Sequence, residues 1–137
     1  MARVAVILAG CGHLDGAEIR EAVLTLLFLD QLGAKVQCFA PNIPQHHVVD
    51  HLKGEEVPGT RNVLEEAARV ARGRIEPLSA LNPKEFDALL LPGGFGVAKN
   101  LSSLAFNGKD ADVLPAYAAV IEAFFGAGKP IGAICIA

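Results

Sequence analysis

The chain has 137 residues, 52% of them apolar, and 15 acidic against 12 basic side chains give a formal charge of -3. That length suits one hydrophobic core, and mild acidity with scattered basic residues gives no footing for nucleic-acid binding. The run "AVLTLLFL" (Ala22 to Leu29) holds a threonine and is too short to cross a bilayer, so no membrane role is expected.

In chain order, "RVAVIL" (Arg3 to Leu8) reads as a buried strand rather than a signal peptide, because glycines and an acidic helix start follow it. After the Gly-rich "AGCGHLDG", Asp15 as N-cap and Glu18 three residues on form a capping box for a helix running to about Leu32. Its expected apolar face is Ile19, Ala22, Val23, Leu26 and Leu27, and Gly33 ends it. "KVQCFA" (Lys35 to Ala40) is the second strand of a right-handed βαβ unit. The proline-broken stretch from Pro41 to Gly59 is expected to hold little regular structure. "NVLEEAARVARG" is a second helix capped by Asn62 and stopped by Gly73, "RIEPL" a short strand, and "NPKEF" a brief helix with Asn82 as N-cap and Pro83 at N1. "DALLLPGGFG" is a buried strand entering a glycine turn. A helix follows from about Val113 to Gly126, and "IGAICI" is the last strand. Alternating strands and helices, with strands apolar on both faces, define an α/β fold with a mainly parallel sheet. The odd count of cysteines (Cys11, Cys38 and Cys135) without a legible secretion signal points to reduced thiols inside the cell.

Sites in such sheets lie beyond the carboxyl ends of the strands. Three of those ends carry unusual residues: the loop Gly10 to Gly16, "PGGFG" (Pro92 to Gly96) and "AICIA" (Ala133 to Ala137). "AICIA" has the small residues that a nucleophile elbow needs two positions before and after its nucleophile. Taken alone, the five residues better suit an ordinary buried strand cysteine. The glycines after Leu91 can bare backbone N–H groups toward an oxyanion, or simply make a tight turn. Glu21, in the first turns of the first helix, either serves the helix dipole or turns inward toward the thiol. "GCGHLDG" spaces its glycines too widely for a dinucleotide fingerprint, and no acidic residue closes the second strand. His47 and His51 in "HHVVDH" could form half a metal site on a helix, but cysteine partners are lacking, and a polar surface turn is the preferred reading.

Together, "VILAGCGHLDGAEIREAV", "CFAPN", "RNVLEEAARVARG", "LLLPGGFGVAKNLS" and "GKPIGAICIA" resemble the ElbB-type glyoxalases, in the ThiJ/PfpI branch of the class I glutamine amidotransferase-like superfamily. The resemblance spans essentially the whole chain and implies a flavodoxin-like three-layer sandwich. It implies Cys135 as nucleophile, Glu21 as the acidic residue at its sulfur, the N–H groups of Gly94 and Ile136 as the oxyanion hole, and Gly10, Cys11, Gly12 and Gly93 as lining. The implied activity is conversion of glyoxal-type 2-oxoaldehydes to hydroxy acids without cofactor or metal, in a cytoplasmic homodimer. A mitochondrial setting would follow if the source were eukaryotic and a presequence absent from this chain. The alternatives are a redox-sensing or protective cysteine protein without turnover, and an inactive binding module.

Members of that family continue past the elbow and in many cases bring a histidine to the thiol. Here the histidines are His13, His46, His47 and His51, none at the matching place. His13 lies in the loop after the first strand, from which it could approach the site, but the resemblance assigns it no role. "IGAICI" is expected to be a central strand. The domain, residues 1–137, is therefore expected to be incomplete at its C-terminus, part of a longer polypeptide or covered by another chain.

Overall fold

The computed structural model describes residues 1–137. Its elements are β1 (Arg3–Ile7), α1 (Ile19–Gln31), β2 (Lys35–Ala40), β3 (Val48–Asp50), β4 (Glu55–Val57), α2 (Val63–Val70), β5 (Ile75–Pro77), β6 (Ala88–Leu91), α3 (Phe95–Lys99), α4 (Leu104–Asn107), α5 (Pro115–Gly126) and β7 (Ile131–Ala133). Five strands form one sheet in the order β5-β2-β1-β6-β7, every pairing parallel. Without the short edge strand β5, the order is that of a flavodoxin-type sheet. The chain reverses direction across the sheet between β1 and β6, which leaves a crevice at their carboxyl ends.

β1 is buried on both faces, as its unbroken apolar run requires. On one side Ala5, Ile7, Leu89 and Leu91 pack with Tyr117, Val120 and Phe124 of α5. On the other, Val4, Val6, Leu8 and Cys38 pack with Ala22 of α1 and Val63 and Ala67 of α2. The result is a three-layer sandwich. No helix is long and apolar enough to cross a membrane.

Several local expectations give way to longer-range contacts. α1 begins at Ile19 rather than near Asp15, because the buried Asp15 carboxylate accepts the Val49 N–H (2.8 Å) instead of capping a helix. Glu18 is itself the N-cap, its carboxylate accepting the Glu21 N–H at 2.7 Å. α5 starts at Pro115, not Val113, since a residue before proline is pushed out of the helical region and Leu114 is extended. The proline-rich stretch contains an antiparallel hairpin, β3 with β4, paired from Val48↔Val57 to Asp50↔Glu55. Within residues 1–137, β7 pairs with β6 at the end of the five-strand order. Of the expected apolar face of α1, Ala22 is buried and Leu26 partly so, while Ile19, Val23 and Leu27 are exposed.

The Glu21 N–H hydrogen bond holds the Glu18 carboxyl below the usual carboxylate range, with the Arg20 side chain adding to the effect. A depressed folded-state pKa stabilises the fold above the unfolded value and loses that contribution as pH falls through the folded one. Glu18→Ala should therefore lower the unfolding free energy by about 1 kcal/mol at neutral pH. In urea titrations the difference from wild type should shrink below about pH 4.

Candidate active site

Two loops meet backbone to backbone at the crevice between β1 and β6. After β1 the chain folds on itself, Gly12 N–H donating to Ala17 O at 2.8 Å and Gly16 N–H to Gly12 O at 2.6 Å. After β6 it turns at Gly93 and Gly94 into α3. Glu18 N–H donates to Gly93 O (2.9 Å), Phe95 N–H to His13 O (2.8 Å) and Gly96 N–H to Gly16 O (2.8 Å). Gly94 has φ +106°, and a Cβ there would collide with Gly16 O and Glu18 N, so the contact admits only glycine. Asn100, which sequence reasoning passed over, clamps the assembly. Its amide donates to Ala9 O (3.0 Å) and Asp15 O (2.9 Å), and its oxygen accepts His46 N–H (2.8 Å).

β7 delivers Cys135 to the same place. Ile134 N–H donates to Leu91 O at 3.0 Å, and Ala137 N–H closes the turn on Ile134 O at 3.1 Å. Cys135 has φ +60°, the left-handed conformation of an elbow, which costs a non-glycine residue about 1–2 kcal/mol. Its side chain is exposed.

Gly93 sets the spacing between acid and thiol. A Cβ there would lie 2.6 Å from Ile134 O, 2.9 Å from Cys135 Cβ and 3.3 Å from Glu21 Oε2. Any larger residue would drive the elbow and the carboxylate apart. Glu21 Oε2 is buried and accepts no hydrogen bond, although the Glu21 backbone is fully engaged through Glu18. Above it lies a cavity of about 160 Å3 walled by Cys135, Ile136, Glu21, Glu18, Gly94, Phe95 and His13. The N–H groups of Gly93, Gly94, Cys135 and Ile136 donate to no acceptor within the protein.

The structure thus brings together Cys135, Glu21, Gly94 and Ile136 around one cavity, with Gly93 beneath. Gly10, Cys11 and Gly12 shape the neighbouring loop but do not line the cavity. Burial pushes the Cys11 thiol up, and the Glu66 carboxylate adds to this. Phe95 is a cavity residue that no local pattern singled out, whereas His13, whose loop position allowed it to approach the site, does line the cavity. His47 and His51 flank a strand, not a helix, and face different partners. His47 meets Glu56 (3.2 Å) and Lys99 (3.0 Å), whereas His51 meets Leu14 N–H (3.2 Å) and Val49 O (3.1 Å).

Solved structures of an amidotransferase-like domain protein and of a DJ-1 superfamily protein share this parallel three-layer sandwich. The chain is 53% identical over 137 residues to human glutamine amidotransferase-like class 1 domain-containing protein 3, mitochondrial, covering 99% of this chain and 51% of the relative. It is 40% identical over 134 residues to the zebrafish (Danio rerio) ES1 protein, mitochondrial, covering 94% and 50%. Among solved structures, an isoprenoid biosynthesis protein with an amidotransferase-like domain from Ehrlichia chaffeensis superposes with a TM-score of 0.94 at 51% identity, over 98% of this chain and 63% of that one. A DJ-1 superfamily protein from Salmonella typhimurium superposes with a TM-score of 0.52 at 30% identity, over 98% and 56%. No protein-family model matches the chain. The chain spans about half the length of the curated relatives it matches.

The three thiols sit in different environments. Burial pushes Cys38 up to about 11 and raises Cys11 as well, and a thiol must ionise to react. Iodoacetamide with peptide mapping should label Cys135 first, Cys11 more slowly and Cys38 last. Cys38 should modify at an appreciable rate only on unfolding.

Proposed function

We propose that the protein is a cofactor-independent glyoxalase acting on small 2-oxoaldehydes through Cys135. The observation that carries this reading is the buried, unpartnered Glu21 Oε2 beside an elbow cysteine in left-handed conformation. A buried carboxylate oxygen without a donor costs stability and suits a group that handles protons. The resemblance to glyoxalases supplies the substrate class, and a cavity of about 160 Å3 holds a molecule of a few heavy atoms.

In this mechanism the Cys135 thiolate adds to the aldehyde carbon, forming the C–S bond while the carbonyl π electrons move to oxygen. The free N–H groups of Gly94 and Ile136 receive that oxyanion. Protonation gives a hemithioacetal. Glu21 removes the hydrogen on that carbon, the electrons pass to the adjacent carbonyl, and the proton returns to the second carbon while the hydroxyl proton passes from the first oxygen to the second, which leaves a thioester of a 2-hydroxy acid. Water then displaces the thiol and releases the acid. One substrate carbon is oxidised and its neighbour reduced, so the sum is addition of one water and no external oxidant or reductant is consumed.

The exposure of Cys135 also favours a second reading, a redox-sensing thiol whose sulfenic or sulfinic acid Glu21 would hydrogen-bond. The compartment in either case is a reducing one, mitochondrial as the names of the human, rat and zebrafish relatives have it, or cytoplasmic in a bacterium. We also propose a homodimer. Its support is the exposed apolar stripe of α1, Val23, Leu24, Leu27, Phe28 and Leu32, since patches of this kind mark association surfaces.

Proton NMR of methylglyoxal with the protein, without glutathione and with a chelator present, should show conversion to lactate. Cys135→Ala should abolish turnover, and Glu21→Gln should lower kcat by about 10²–10⁴-fold with the fold retained. A protein that leaves the aldehyde untouched, yet oxidises cleanly at Cys135 under peroxide, would favour the redox reading instead. Light scattering should give twice the chain mass, and Phe28→Asp should halve it.

A further inference from the structure

We propose that His13 is a second acid–base group of the cavity, taking the proton of Cys135 so that Glu21 is left for the carbon-bound hydrogen of the substrate. The first half of this assignment stands on the cavity that the two side chains share. The second rests on the glyoxalase reading.

His13 differs from the other histidines in what its ring touches. The His47 ring is engaged by Glu56 and Lys99, the His51 ring by Leu14 N–H and Val49 O, and the His46 ring lies against Phe106 at 4.3 Å. The His13 ring nitrogens make no hydrogen bond, and the side chain walls the cavity that holds Cys135 and Glu21. Its backbone is fixed to the glycine turn, because His13 O accepts the Phe95 N–H.

The ring is braced from behind. It packs edge-on against His51, centroids 5.3 Å apart at 67°. His51 Nε2 accepts the Leu14 N–H, so its proton sits on Nδ1 facing Val49 O and the ring is neutral. The 3.8 Å approach of His51 Nε2 to Asp15 is then no ion pair. His51 reaches this position because residue 12 is glycine: a Cβ there would lie 2.7 Å from two His51 ring atoms.

The charges around His13 give it a task. Glu18 and Glu21 of α1 and Cys135 of the elbow wall the same cavity. The neutral His51 comes from the hairpin, and Lys99 lies over the Phe95 ring at 5.4 Å, bound to Leu14 O. An imidazole with a free ring nitrogen is a base that can take a thiol proton, which leaves the carboxylate of Glu21 for the substrate. In the step, the S–H bond breaks, its electron pair stays on sulfur, and the proton moves to the unprotonated His13 nitrogen. After addition to the aldehyde, the imidazolium returns that proton to the alkoxide, so the ring is restored and nothing is oxidised.

The test is the pH dependence of Cys135 alkylation by iodoacetamide, mapped by mass spectrometry in wild type, His13→Asn and His13→Gln. Wild type should show an inflection near the imidazole range. Both variants should lose it, react about tenfold more slowly at pH 7, and rise only near the ordinary thiol pKa. Unchanged unfolding temperatures will show that the exposed substitution leaves the fold intact. Identical alkylation profiles in all three proteins would overturn the assignment, whatever the aldehyde assay gives. Altered profiles without aldehyde turnover would uphold the His13–Cys135 pair and sink the glyoxalase reading alone.

Discussion

The contact on which the site depends is the meeting of two glycine-rich turns at the carboxyl ends of β1 and β6. Three backbone hydrogen bonds tie them, from Glu18 to Gly93, Phe95 to His13 and Gly96 to Gly16. Backbones approach this closely only where side chains are absent. With a β-carbon at Gly94, the turn would strike the start of α1 and push it off the sheet edge. Cys135, Glu21 and His13 come from three separated parts of the chain and share a cavity because this contact holds.

Around it, the fold divides labour between neighbouring residues. Glu18 caps α1, which satisfies the Glu21 N–H and leaves the Glu21 side chain free of structural duty. One oxygen of that side chain, Oε2, is then buried with no donor from the protein, a cost of about 1–3 kcal/mol. The left-handed Cys135 adds about 1–2 kcal/mol more. Two unfavourable features within one small cavity are sustained by the cores on either side of the sheet. Unfavourable local chemistry concentrated where reacting groups converge is the pattern expected of a working site.

Legibility in the sequence followed the range of the interaction. β1, β2 and β6 were readable because burial on both faces leaves unbroken apolar runs. The caps at Asn62 and Asn82 were readable because they act within three residues. The hairpin of β3 and β4 was not, since its short strands lie among prolines and charges, and it is held by pairing with each other and by the Asp15 carboxylate from 34 residues away. The start of α1 was misplaced for the same reason: Asp15 has the chemistry of a cap but is drawn to a distant N–H.

Local pattern was enough to define the α/β class, the parallel sheet and the small residues flanking Cys135, because periodicity and steric tolerance are properties of neighbouring positions. Packing between distant segments is what makes Gly93 the space between acid and thiol. It alone brought His13 to the cavity wall, braced by His51. Those facts depend on backbone surfaces that meet across the sheet, and a glycine chosen for what approaches it from another element leaves no period and no local pattern to read.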